Sequence, residues 1–155
     1  MVEPIPINAE VDEPTTNLTS TYWLVEEAGV GYVTKPNQVL DKAVAFAVRI
    51  INLHKWLRKE HPTIGALSTQ ILKAGTSIGA NINEADCAFS KREFASKLGI
   101  SLKEARETNY WLGLLKATDY IDEPMYASLS RDCGELIRLL VSILKSTRAN
   151  LTKQQ

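Results

Sequence analysis

The chain has 155 residues, 45% of them hydrophobic and 23% charged, with acidic and basic side chains equal in number. That length suits one domain able to bury a substantial core, and no apolar run approaches the ~20 residues of a membrane span. Two cysteines, Cys87 and Cys133, without a C-x-x-C partner argue against a disulfide framework and a structural zinc site, and the acidic, proline-broken start MVEPIPINAEVDEP is unlike a secretory signal, so the chain reads as cytoplasmic.

Residues 1–36 make an N-terminal arm. Up to about residue 20 the arm mixes proline, threonine, asparagine and acids without a period, which predicts a disordered or extended segment. TYWLVEEAGVGYVTKP then carries two β-prone runs, residues 21–25 and 30–34, around a glycine-containing turn. A small β-hairpin and a short helix over residues 23–28 compete there. A lone hairpin is marginal in water, so Tyr22, Trp23 and Tyr32 would need the bundle or a neighbouring subunit to pack on. Charge is uneven as well. Six acids (Glu3, Glu10, Asp12, Glu13, Glu26, Glu27) face one base (Lys35) in residues 1–35, a net of −5 that leaves +5 on the remainder. Such an arm is either a solvated tail or a competitor of an acidic partner for the basic surface.

The rest reads as all-α, an up-down-up-down antiparallel four-helix bundle over residues 37–150, with helices at about 38–60, 64–88, 91–118 and 123–149 and a fraying tail at 151–155. In the first helix Leu40, Ala43, Ala47, Ile50, His54 and Leu57 form an apolar stripe, and Pro62 disfavours helix at His61. The second carries Leu67, Ile71, Ala74, Ile78, Ile82 and Ala85 beside a polar stripe of Gln70, Ser77, Asn81 and Glu84. Gly75 and Gly79 lie one turn apart on its surface. Each costs roughly 1 kcal/mol relative to alanine, which predicts a close approach by another backbone.

Ser90-Lys-Arg-Glu93 is a capping box opening the third helix, with Glu93 expected to reach the amide of Ser90. Phe94, Leu98, Leu102, Ala105, Leu112 and Leu115 follow at helical spacing. Lys103, Glu104, Arg106 and Glu107 crowd its middle, and Tyr110 and Trp111 add aromatic weight. Asp122-Glu-Pro124 starts the fourth helix, whose face is Met125, Leu129, Cys133, Leu136, Leu140 and Ile143, with Arg131, Arg138, Lys145 and Arg148 on its other faces. An antiparallel pairing of the middle helices about a turn near residues 88–90 sets Ser77 level with Lys103 and Ala74 level with Arg106. Asn81 and Glu84 would then reach Lys103 or Ser101.

Residues 39–121 resemble the four-helix-bundle family of ribosomal RNA intervening-sequence proteins, whose genes lie within insertions in bacterial large-subunit ribosomal RNA genes. The accessory variability determinant of diversity-generating retroelements belongs to the same broader family. Leu40-Asp-Lys42, Phe46-Ala-Val-Arg-Ile50, Gly75-Thr-Ser-Ile-Gly-Ala-Asn81 with Glu84-Ala85, Ser90-Lys91, Phe94, Lys97-Leu98, Lys103-Glu-Ala-Arg-Glu-Thr108 and Tyr110-Trp-Leu112 carry the resemblance. It implies a four-helix bundle forming ring-like homo-oligomers, pentamers foremost. It also implies a basic surface for nucleic acid and work alongside a reverse transcriptase. This chain is neutral where the family's nucleic-acid binders are strongly basic.

Catalytic chemistry is not expected. His54 reads as a satisfied core histidine and His61 as a solvent-exposed turn residue. A di-iron bundle needs Glu-x-x-His pairs, and Glu84, Glu104 and Glu107 have none. Ser77 lacks a histidine in its helix pair, and Gly75-Thr-Ser-Ile-Gly79 lacks the lysine of a phosphate loop. No cofactor or metal is expected. Two functional classes remain. One is an accessory protein in which Lys73, Lys91, Arg92, Lys97, Lys103 and Arg106 contact RNA or DNA phosphates. The other is a scaffold that docks a protein such as a reverse transcriptase, with Gly75, Ser77, Gly79, Asn81, Glu84, Glu104, Glu107, Tyr110 and Trp111 as structural or interface residues.

Overall fold

Helix boundaries follow local chemistry. The computed structural model describes residues 37–152, which fold as α1 (Gln38–Glu60), a 3-10 turn (Pro62–Ile64), α2 (Gly65–Asp86), α3 (Lys91–Ala117) and α4 (Glu123–Thr152). No strand occurs among the described residues. The arm, with its hairpin and its competing helix, lies outside them. Pro62 sits where the first helix gives way to the 3-10 turn. Ser90 caps α3, its Oγ accepting from the Glu93 amide at 3.1 Å. The Glu93 carboxylate accepts from the amide of Phe89, at 3.0 Å, and not from that of Ser90 as the capping box predicts. Asp122 caps α4 by accepting from the Met125 amide at 2.8 Å. α4 continues three residues past the predicted end at 149, so Leu151 and Thr152 are helical.

The four helices pack in sequence order, and α1 also meets α4 to close the ring. Contacts across each seam show antiparallel neighbours, because position numbers rise on one helix as they fall on the next. Gly75 and Gly79 of α2 face Ile50 and Ala43 of α1. The Ser101 hydroxyl of α3 donates to the Ile78 carbonyl of α2 at 2.9 Å. On α4, Cys133 Sγ lies 3.2 Å from the Ala105 carbonyl and Ser130 Oγ 3.1 Å from Asn109 Oδ1. Arg49 of α1 reaches the Asp132 carboxylate and, at 2.8 Å, the Ser128 hydroxyl of α4. This is an up-down-up-down four-helix bundle.

Its centre is aliphatic. Phe46, Ile50 and Leu57, Ile71, Ile78 and Ile82, Leu98, Leu112 and Leu115, and Leu136 and Leu140 are essentially closed to solvent. Burial of these stripes supplies most of the driving force. Among the described residues the buried polar ones are Ser68, Ser101 and Thr108, and each hydroxyl donates to a backbone carbonyl. No buried side-chain nitrogen or oxygen among the described residues lacks a partner, which is what a low-dielectric core requires.

Candidate nucleic-acid interface

α3 is apolar on one side and carries a different pattern on the other. Arg92, Ser96, Gly99, Lys103, Arg106 and Tyr110 recur at steps of four and three, which places them on one stripe. That stripe lies opposite the buried Leu98, Ser101, Ala105 and Leu112. The C-terminal half of α4 runs alongside, bringing Val141, Leu144, Lys145 and Arg148 to the same groove. The groove has a volume of about 760 Å³. Its apolar part includes Ile100 and Val141, 38% and 41% exposed. Lys103, Arg106, Lys145 and Arg148 line it, and none of them has a carboxylate within ion-pair distance among the described residues. Four unneutralised cations around one concavity make a local positive field.

The six predicted phosphate-contacting residues divide. Lys103 and Arg106 enter the groove. Lys91 and Arg92 are exposed in the first turn of α3, and Lys73 is exposed on α2. Lys97 is paired with Glu84 across the α2–α3 seam. The hydrogen bond and the charge of Glu84 raise the Lys97 pKa. The expected partners of Glu84 and Asn81 are therefore corrected: Glu84 meets Lys97 one turn before Ser101, while Asn81 donates to the Ser77 carbonyl of its own helix at 2.8 Å. The inter-helix register stands, but the long lysine stem at position 97 already points at α2, so neither side chain crosses to Lys103.

The remaining predicted positions are structural in placement. Gly75 and Gly79 are buried where α2 meets α1. Ser77 is half-buried, its carbonyl used by Asn81. Glu104 is half-buried; burial first, and the neighbouring Glu107 second, raise its carboxyl pKa. Glu107 is exposed and accepts from the Trp111 indole N–H at 3.0 Å. Trp111 meets Tyr110 edge to face at 5.0 Å, and Tyr110 is 59% exposed. Arg106 is exposed and is not an internal ion-pair partner among the described residues.

Both histidines are occupied. His54 Nδ1 lies 3.0 Å from the Ser68 carbonyl, which can only accept, so that nitrogen carries the hydrogen. His61 is not the solvent-exposed turn residue expected: it is half-buried, edge-on between Trp56 and Tyr120 at 5.5 and 5.1 Å. Burial pushes the Cys133 thiol up to about 12, so it stays protonated and unreactive at neutral pH. Among the described residues no three of His, Cys, Asp and Glu converge to hold a metal ion, and no helix is long and apolar enough to cross a membrane.

The sequence places Lys145 and Arg148 on the outer faces of the fourth helix and ties them to no site. Their three-residue spacing, in step with Val141 and Leu144, was available, but which helix they would flank was not. Their role depends on α4 lying against the outer stripe of α3.

Residues 35–142 match the profile described as 23S rRNA-intervening sequence protein. A crystal structure of a protein of unknown function from the S23 ribosomal protein family, from Bacteroides thetaiotaomicron, is similar at 52% identity and a TM-score of 0.67, with 69% of this chain and 98% of that chain covered. Among curated proteins nothing matches.

Proposed function

This chain belongs to the 23S rRNA-intervening sequence protein family, and from that premise we propose that it is a non-enzymatic, cytoplasmic accessory protein that binds RNA through the α3–α4 groove and works as a ring-like homo-oligomer. The observation that carries the reading is the convergence of Lys103, Arg106, Lys145 and Arg148 without a neutralising carboxylate among the described residues. Each cation that meets a phosphate releases a condensed counterion. The contacts are to backbone and carry no base information, so the groove positions RNA without reading its sequence. Support for the non-enzymatic part comes from the chemistry of the available groups: a histidine tied to a carbonyl, a second wedged between rings, and a buried thiol held protonated.

The test is fluorescence anisotropy of a labelled RNA on the full chain over a salt series. Four phosphate contacts predict a slope of log affinity against log salt of roughly −3 for single strands. K145A/R148A should weaken binding and flatten the slope by about half. Affinity that ignores salt, or a double variant that binds like the parent, would refute the reading. The second reading, a scaffold that docks a protein such as a reverse transcriptase, is favoured by the apolar part of the groove at Ile100 and Val141. It predicts partner binding that survives salt and is lost in I100D.

A further inference from the structure

We propose that Phe89, at the α2–α3 turn, stacks on an unpaired RNA base while Lys91 and Arg92 hold the flanking phosphates. This rests on the RNA-binding reading above and specifies which part of an RNA the protein takes. Phe89 is 98% exposed, whereas the core ring Phe46 is 2% exposed. The turn that presents it is tied through the amides of residues 87, 88 and 89. The amides of Cys87 and Ala88 donate to the Glu84 and Ala85 carbonyls at 3.2 and 3.0 Å. The Phe89 amide itself donates to Glu93, whose own amide donates to Ser90 Oγ. The backbone beneath the ring is already ordered, so little entropy is lost when the ring engages a ligand.

Lys91 and Arg92 are exposed in the first turn of α3 and have no ion pair among the described residues. The positive end of a helix dipole disfavours cations there. Neither the open ring nor the two cations serves the bundle, and both suit one kind of ligand. The other exposed residues of the turn and of the first turn of α3 are Asp86, Cys87, Ser90, Lys91, Arg92 and Glu93, the last engaged by the Phe89 amide, so no second large apolar side chain joins Phe89. A protein anchor sits in a desolvated patch ringed by further contacts, and an interfacial membrane helix needs a whole apolar face. A nucleobase needs one aromatic face, with cations beside it for the phosphates. Bases offer that face only where they are unpaired, in loops, bulges and ends. Arg92 also begins the stripe that leads through Gly99 to Lys103 and Arg106, roughly 21 Å along the helix axis. One strand can therefore run from the turn into the groove.

The experiment compares F89A, F89W and K103A/R106A with the parent, all as full chains, by anisotropy on two labelled RNAs: a hairpin with an unpaired loop and a blunt, fully paired duplex. A 2-aminopurine in the loop reports stacking directly. F89A should lose about 5- to 150-fold on the hairpin, leave duplex affinity unchanged and abolish the 2-aminopurine quenching, while F89W restores the hairpin affinity and the quenching. K103A/R106A should weaken both RNAs. If the parent binds both RNAs and F89A behaves like the parent, or weakens both equally, this inference falls and the groove reading stands. If the parent binds neither, both fall. If F89A leaves RNA binding intact and changes the mass seen in light scattering, the ring contacts another copy and the inference is overturned.

Discussion

Gly75 and Gly79 are one turn apart on α2 and face the same helix, yet the structure predicts opposite responses to an added methyl group. A Cβ at Gly79 would lie 3.6 Å from Ala43 Cβ and 3.8 and 3.9 Å from the Ala43 backbone, ordinary van der Waals distances. A Cβ at Gly75 would lie 2.8 Å from both Cγ1 and Cγ2 of Ile50 and 3.1 Å from its Cβ. Ile50 is fully buried and cannot swing into solvent. Both substitutions gain about 1 kcal/mol of helix propensity. G79A keeps that gain and should stabilise the bundle by roughly 1 kcal/mol. G75A sets it against an overpacking cost of about 1–3 kcal/mol, so its net effect runs from about zero to a loss of roughly 2 kcal/mol. The two variants should then melt about 2–12 °C apart, at about 2–4 °C per kcal/mol for a chain of this size. Denaturant midpoints at constant slope are the assay. A double-mutant cycle sharpens it: I50A removes both offending carbons, so G75A/I50A should be less destabilised than the sum of the single variants by about 0.5–3 kcal/mol. I50V keeps both carbons and should give no such rescue. A G75A protein as stable as G79A, or a cycle with no coupling, would refute the close approach of α1 and α2.

Two further predictions concern single residues. The raised Glu104 pKa means that the folded chain holds this proton more tightly than the unfolded chain does. Its contribution to stability is therefore full below the ordinary value of 4.5 and is lost as pH rises through the folded value. E104Q should remove that decline, giving a stability advantage over the parent at pH 7 that shrinks towards pH 4 in paired denaturant titrations. Asp119 has φ 57°, in the left-handed region, where it ends α3 as the Tyr120 amide donates to the Leu115 carbonyl at 2.9 Å. D119V should lose about 1–2 kcal/mol and lower the melting temperature by roughly 2–8 °C, while D119G stays within a degree or two of the parent.

The bundle was legible because its signals are local and repeated. Apolar side chains at steps of three and four mark each buried stripe, and Ser90, Asp122 and Pro62 mark the ends. The inter-helix register of α2 and α3 was legible as well, since a short turn leaves little freedom. Finer placement was not. Glu84 has several bases within reach of its register, and only packing decides that Lys97 arrives first. His61 directly follows the last residue of α1 and looks like a turn residue, but Trp56 and Tyr120 converge on it from positions far apart in sequence. Lys145 and Arg148 failed for the same reason: a cation's role depends on the helix beside it, which a single-helix pattern does not contain.

Neutrality of the whole chain was the main sequence argument against an anionic partner, and the structure weakens it. A net charge is a sum, while a ligand responds to the local field. Several acids of the bundle are occupied at its seams and caps. Glu135 pairs with Lys42, Asp132 with Arg49, Glu84 with Lys97 and Glu123 with Lys116. Glu93 accepts from the Phe89 amide and Glu107 from the Trp111 indole. All but Glu107, which sits one turn from Lys103 on α3 itself, offset bases on the α1–α4 and α2–α3 seams or lie near helix ends, so they do not cancel the cations of the α3–α4 groove. Screening strengthens the distinction. At physiological salt a charge beyond about 8 Å contributes little at an exposed site, so carboxylates at the far end of the bundle cannot neutralise Lys103, Arg106, Lys145 and Arg148. The partition of charge among the seams, and not the total, decides what the outer face of α3 can attract.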